Sequence, residues 1–458
     1  MKDKKQNKRI NGGHRLLFFC ILCLFGLYVA VSYAEEQPQR EQSKTKVILL
    51  HTDNLTYDQY RHPGAQILTG NVQFQHDGVL MYCDSACFYE ATNSFDAFGH
   101  VKMVQGDTLD LVGDMLLYNG LDQLARVRHN VVLTHRESKL YTDSLDYDRL
   151  YELGYFFEGG KLVDKDNVLT SDWGQYSPPT RQAVFNYNVK LENPKFTLIS
   201  DTLNYNTLTS MAEIVGPSNI DSGDNHIYSE SGFYNTQTEE AILLDRSIVT
   251  NKGRKMVGDS LYYDSKSGVG EGFRNVVYTD EVNKNMLTGN YCYYNDSTGY
   301  SMATDSAVAI DYSQRDTMYM HADTFKVYTF YMDTDSMYRE VRGYHKVRSY
   351  RMDVQSVCDS LVFDSRDTCI TMYRDPIVWN GGQQVLGEVI KVYLNDSTID
   401  RIHVIDQTLS VERIDSVHYN QVAGKEMTSY FRDGEMYETW VNGNVYAVSY
   451  THLTLPTT

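Results

Sequence analysis

Apolar and polar residues alternate along most of this chain with a period of two. In the stretch 182–193, Ala183, Phe185, Tyr187, Val189 and Leu191 fall on one face, and Val184, Asn186, Asn188 and Lys190 on the other. Further upstream the pattern returns, with Ala125, Val127, Val131 and Leu133 set against Arg126, Arg128, Asn130 and Val132. Alternation with one polar face predicts antiparallel strands that bury a single side. Turn signals separate these stretches, as at Ser177-Pro178-Pro179-Thr180, and Asn295-Asp-Ser-Thr298 and Asn395-Asp-Ser-Thr398 read as one turn used twice. After the N-terminal segment no stretch carries a convincing helical period.

The strands recur in a unit of about 29 residues that opens on an acidic residue, with an apolar residue two on and an aromatic four on. Clear copies are Asp143-Ser-Leu145-Asp-Tyr147, Asp201-Thr-Leu203-Asn-Tyr205, Asp259-Ser-Leu261-Tyr-Tyr263 and Asp359-Ser-Leu361-Val-Phe363. Successive units open at Asp84, Asp114, Asp143, Asp172, Asp201, Glu230 and Asp259, with gaps of 30, 29, 29, 29, 29 and 29. A Val follows several of these openings at a constant offset: Val101, Val131, Val189 and Val276. A fixed period in this range marks a stacked array. The expected fold is all-β, an elongated antiparallel β-jellyroll or β-solenoid-like array. Stacking sets the Leu, Tyr and Val positions in columns around an apolar interior, and each leading Asp is expected to start a strand and face solvent. Periodicity alone leaves two readings of that interior, a core filled by side chains or a groove open to apolar ligands.

The register loosens after Asn290. Residues 46–303 read as the regular repeats, 304–345 as an irregular β connection, and 346–447 as a second lobe. Residues 448–458 fit no unit. At the other end, Lys2, Lys4, Lys5, Lys8, Arg9 and Arg15 precede an apolar run from Leu16 to Val31, and Ser32-Tyr33-Ala34 supplies small residues for cleavage. Residues 1–34 therefore read as a signal peptide and 35–45 as a linker. An uncleaved anchor is the alternative, since a run of about this length just spans a bilayer.

Composition sharpens the picture. Thirty-seven Tyr and only eight Pro in 458 residues suit pleated ladders. The formal charge is −18, and loss of residues 1–34 removes six basic residues and Asp3, leaving about −23. Such a surface argues against nucleic acid and anionic membranes as partners. The five cysteines after residue 34 (Cys83, Cys87, Cys292, Cys358, Cys369) are odd in number and lack metal spacing, so they read as small core residues. The leading carboxylates invite comparison with calcium ladders, yet the glycine-rich nonapeptide of those proteins is missing. No metal or other cofactor is expected.

One catalytic signal needs weighing. Gly258-Asp-Ser-Leu261 reads as the nucleophile block of GDSL esterases, and Asp415-Ser-Val-His418 and Asp400-Arg-Ile-His403 match their Asp-x-x-His. Ser260, however, occupies a repeat position held by Thr202, Ser144 or Trp173 in sister units, and no helix or oxyanion block follows. A strand residue is the better reading, and no enzyme is expected.

The signal segment, Leu68-Thr-Gly-Asn-Val72, Phe98-Gly-His-Val101 and the repeated Asp-Ser/Thr-Leu-x-Tyr blocks together resemble the OstA-like (organic solvent tolerance) family. That family includes periplasmic lipopolysaccharide-transport proteins, and the acidic, Tyr-rich, long version looks like its Bacteroidetes branch. The likeness is best over 46–300 and weaker over 346–447. It implies a β-jellyroll whose open apolar groove carries lipopolysaccharide acyl chains across the periplasm, in association with the outer membrane. It also implies docking to other transport proteins, or head-to-tail to itself, through edge strands. The residues expected to line the groove are Leu145, Tyr147, Leu203, Tyr205, Leu261 and Tyr263, with Val131, Val189 and Val276 opposite. The rival readings are an envelope scaffold with a filled core and, more remotely, the esterase.

Overall fold

Every strand of the array is bent near its middle, and the bend organises the rest. The computed structural model describes residues 45–449 except 314, 333, 396, 397, 433 and 434. The expected signal peptide, the linker up to residue 44 and the tail from residue 450 lie outside the described residues. Thirty-four strands run from Ile48–His51 to Tyr446–Val448 in one continuous sheet, each ladder antiparallel, and no α-helix occurs among the described residues. Eight consecutive pairs of short strands, such as Leu153–Phe156 with Gly160–Asp164, are halves of one bent strand, so 26 bent strands follow one another. At ~4.8 Å per strand the untwisted array would extend roughly 120 Å. The repeats thus build a meander stacked along one axis.

At the bend of alternate strands, two consecutive residues take positive φ: Gly70 and Asn71, Gly99 and His100, His129 and Asn130, Tyr187 and Asn188, Arg274 and Asn275. Each ladder shifts register there, as between Phe98 and Val101 or Asn186 and Val189. Left-handed backbone favours Gly and Asn, which accounts for the Gly-Asn-Val and Gly-His-Val motifs. A Cβ at Gly70 would collide with the Asp53 carboxylate, and one at Gly99 with that of Asp84. The acid on the neighbouring strand then ties the bend. Asn130 Nδ2 donates to Asp114 at 2.7 Å, Asn188 to Asp172 at 2.7 Å, Asn275 to Asp259 at 2.9 Å, and His100 Nδ1 lies 2.7 Å from Asp84.

This corrects two expectations. The leading acids are exposed or half-buried and lie in mid-strand, at the corner, where Asp114, Asp172 and Asp259 accept from the left-handed residues. Asp84, for example, falls in the middle of Val79–Tyr89. Tyr187 is a corner residue, 60% exposed, and does not share the inner face of Phe185 and Val189. Inner positions along Phe196–Asn206 run Phe196, Leu198, Ser200 and then Leu203, Tyr205, so the alternation slips by one beside Asp201.

The bend divides the sheet into two layers that face each other across the interior. Phe74, beyond the corner of its strand, stacks at 4.1 Å on Phe95, which precedes the corner of another. Buried apolar residues form one cluster from Val47 to Leu261 and a second from Val276 to Met427, with Met256 packed against both. The break in the core therefore falls earlier than the expected lobe boundary at 303. Residues 304–345 continue the ladder through Tyr300–Asp311, Met318–Phe330 and Tyr338–Tyr350. Corners there are 40 residues apart (306 to 346) and the last two are 37 apart (407 to 444), against 28 to 32 elsewhere; in 306–346 longer strands and a longer turn absorb the extra chain. Cys83, Cys292, Cys358 and Cys369 are buried free thiols, while Cys87 is half-buried. Burial pushes Cys83 up to about 12. Of the two Asn-Asp-Ser-Thr turns, the first is closed by Thr298 N donating to Asn295 Oδ1 at 3.1 Å. The second has its middle residues outside the described set.

Replacing Asn188 by Val forces a β-branched residue into left-handed backbone, at a cost of about 1–3 kcal/mol. Asn188→Gly keeps the conformation and loses only an exposed hydrogen bond, about 1 kcal/mol or less. Urea unfolding, with amide exchange across Gln182–Asn206 as the local readout, should rank the variants in that order. Equal effects would remove the corner's conformational role.

Candidate functional site

The inner faces of the two layers enclose a long apolar surface, so the candidate site is this interior and the mouth where the strand tips meet. Leu145, Tyr147, Leu203, Tyr205 and Leu261 lie beyond the Asp corner in one layer, buried to between 0% and 3% exposure. Val131, Val189 and Val276 sit just past the corner in the facing layer, at 0% or 1%. Tyr263 occupies the same column as Tyr205 but is only partly buried. The structure thus brings all nine expected residues to the interior, eight of them tightly packed.

A feature that sequence reasoning missed closes the mouth over the first units. The Tyr column (Tyr118, Tyr147, Tyr176, Tyr205) reaches across to polar residues at the tips of the other layer. His76 Nδ1 lies 2.6 Å from Tyr118 Oη, which accepts from Arg149 Nη1 at 2.5 Å. Tyr118 therefore donates to His76 Nδ1, and His76 Nε2 carries the proton toward Thr45. His135 Nδ1 lies 2.8 Å from Tyr176 Oη. Tyr205 Oη donates to Asp164 Oδ2 at 2.8 Å and accepts from Asn167 Nδ2 at 2.9 Å, while Ser138 Oγ donates to Asp164 Oδ1 at 2.7 Å. Tyr147 Oη and Gln105 Oε1 are buried at the same separation and are unpaired. The signal was legible: His76, Gln105, His135 and Asp164 recur every 29 or 30 residues.

Beyond this section the covering thins. Second-from-tip residues of one layer are sealed through Leu191, Leu198 and Ile220, at 1% or less. Ile227, Val249, Met256, Tyr278, Leu287, Ala309 and Met320 are only partly buried, and so are Tyr234, Tyr263, Tyr294, Val341 and Phe363. The last described ties across the mouth are Asn167 Nδ2 donating to Thr236 Oγ1 at 2.9 Å and the Lys195–Glu239 ion pair, and beyond them tip residues bond within their own layer. Asn251 Nδ2 donates to Asn225 at 2.5 Å, Arg254 pairs with Asp280 at 3.3 Å, and Tyr263 stacks on Tyr294 at 6.5 Å. Desolvation raises the Tyr234 hydroxyl to about 12, so these rim tyrosines stay neutral at physiological pH.

The esterase residues lie apart in their bonding. Ser260 sits within a strand between Leu244 and Phe273. His418 bonds Asp415 at 2.7 Å inside its own turn, and His403 bonds Glu426 at 2.6 Å. At the two ends of the described array, strands Ile48–His51, Asn54–Tyr57 and Glu435–Asn442 pair on one side only among the described residues and expose Ile48, Leu55, Tyr57, Tyr437 and Trp440.

Bent antiparallel strands around one apolar interior, with charge confined to the outside and the rim, define an elongated β-jellyroll. Residues 44–201 and 196–259 match the family of OstA-like proteins, so this part of the chain is OstA-like. The matched region contains the corner motifs and all the tyrosine contacts described across the mouth. The family is associated with lipid and lipopolysaccharide transport, not with catalysis. No curated protein matches the chain.

Burial holds the His76 imidazole below the ordinary histidine range, against the pull of Asp77 and with the help of Arg149. Burial does the same to His135, aided by Arg136 and Arg181. The unfolded chain takes up protons near pH 6.5 while the folded chain resists, so this stability is full above about 6.5 and is lost as pH falls below it. The urea midpoint should drop between about pH 7.5 and 5.5, and His76→Gln/His135→Gln should remove much of that drop. An identical pH profile in the double variant would exclude the two histidines as its cause.

Proposed function

We propose that this protein is a non-catalytic carrier or bridge component of lipopolysaccharide transport, working in the periplasm toward outer-membrane assembly. The observation that carries this reading is the apolar interior, whose two buried clusters are linked through Met256, tightly closed over its first section and only partly covered from Ile227 to Met320. An acyl chain moving from water onto such a surface gains about 0.8 kcal/mol per buried CH₂, and no nucleophile is needed. The strongly acidic exterior keeps lipid phosphates in solvent or bridged by cations, leaving the tails to the interior. The one-sided end strands fit docking by strand addition to other transport proteins or to a second copy.

The closed section from Leu68 to Ile220 favours a second reading, an envelope scaffold with a filled core. Mass spectrometry of lipid extracted from the gently purified full chain separates the two. Co-purified lipid A or lipopolysaccharide is expected, with loading cut severalfold in Leu287→Asp, whose half-exposed position should limit the folding cost to about 1–2 kcal/mol. Lipid-free protein from cells that make lipopolysaccharide would favour the scaffold.

A further inference from the structure

The row of contacts across the mouth has a regular origin and a definite end. Its polar members descend one tip column: His76, Gln105, His135, Asp164, then Asn193, Ser222, Asn251 and Asp280. The facing tyrosines are Tyr118, Tyr147, Tyr176, Tyr205, Tyr234, Tyr263 and Tyr294, each 41 to 43 residues after its counterpart through Asn251. Three of these pairs are hydrogen-bonded across the mouth, and all three lie at or before Tyr205. The next tyrosine, Tyr234, meets the Phe196 ring at 4.7 Å without a hydrogen bond across, and beside it Thr236 accepts from Asn167 and Glu239 pairs with Lys195, the last described ties between the layers. From Tyr263 onward the described partners run along a layer and no longer between layers.

Burial changes at the same place. Tyr118, Tyr147, Tyr176 and Tyr205 are at most 2% exposed, whereas Tyr234, Tyr263 and Tyr294 are only half-buried. The lining behind them (Val249, Leu287, Ala309, Met320) is apolar. A rim of aromatic rings with polar tips over an aliphatic floor suits an amphiphile whose tail lies inside and whose head stays wet.

We infer that the tyrosine–polar row is a seal: it holds the two layers shut as far as Tyr205, and acyl chains enter the interior through the window from Ile227 to Phe363. The inference rests on the carrier reading above and adds where the lipid enters and what keeps it out elsewhere. His76, Asp164 and His135 are then positioning residues for the seal, and the tyrosine hydroxyls are its closures. The buried polar atoms of the row also make the sealed section a poor place for a hydrocarbon chain.

The test is photolabelling of the full chain with a diazirine-bearing palmitic acid, with adducts mapped by peptide mass spectrometry. In the wild type, adducts are expected on inner residues between Ile227 and Phe363, and at background between Leu68 and Ile220. Tyr118→Phe/Tyr176→Phe/Tyr205→Phe keeps the rings and removes the closures. It should raise labelling of the first section about tenfold, the effect of about 1.4 kcal/mol of lost closure. Should the triple variant fail to fold, Tyr176→Phe should give the same gain locally, around Leu133 and Leu169. Wild-type adducts spread evenly over both sections, or a variant map identical to wild type, would overturn the seal while leaving the carrier reading intact. A chain that takes no adduct anywhere would overturn the carrier reading and the seal with it.

Discussion

The fold depends on a bend that ordinary strands avoid. Two successive residues in the left-handed region turn the backbone out of the pleat, and a neighbouring carboxylate accepts from one of them, as Asp172 does from Asn188. The backbone joins in: Asp172 N donates to Tyr187 O at 3.0 Å and Asp259 N to Arg274 O at 3.1 Å. Without that corner each strand would continue straight, and the sheet would expose one apolar face along its whole length. With it, a single sheet folds onto itself and supplies both walls of its own interior. Asn, Gly and His recur at the corner because they tolerate the conformation or bond to the acid, and Tyr187 or Arg274 appear where the side chain can point into solvent.

Given the corner, the remaining design question is how the open ends of the bent strands are treated. In the first half they are joined across the mouth by tyrosine hydroxyls bonded to histidine or aspartate, so the interior there is packed like any protein core. In the middle the tips pair sideways with their neighbours and the lining is left partly uncovered. The same repeat therefore builds two kinds of interior, distinguished by which partner the tip side chains choose. The contrast between filled core and open groove, which periodicity leaves undecided, is in this chain a matter of position along the array.

Much of this was legible in the residues. The all-β class, the antiparallel ladders and the inward column of Leu145, Leu203 and Leu261 follow from period two and from the 29-residue register. The corner was not legible as a corner, because a left-handed pair leaves the apolar spacing almost intact: Phe185 and Val189 remain an even number apart, and Tyr187 between them looks like an inner residue. The Asp beside a one-residue slip in the alternation was the available clue. The seal was hidden for a different reason. His76 and His135 look like ordinary strand-end polar residues, and only their distances of 42 residues to Tyr118 and 41 to Tyr176 mark them as partners. The stretch 304–345 reads as irregular because added length at the tips disturbs the register of the sequence, while the bent strands continue through it.

The antiparallel meander also fixes how the molecule would respond to force. Its strands lie across the long axis, so tension between the two ends acts directly along the inter-strand hydrogen bonds. Such a ladder yields one rung at a time, like a zipper, instead of resisting as a block in shear. A bent strand adds a second ladder in the facing layer, and the tyrosine contacts tie strands three rungs apart, so the first half is braced where the middle is not. Under load the array would stretch and part first beyond Tyr205, which makes its middle the compliant element of any span it bridges.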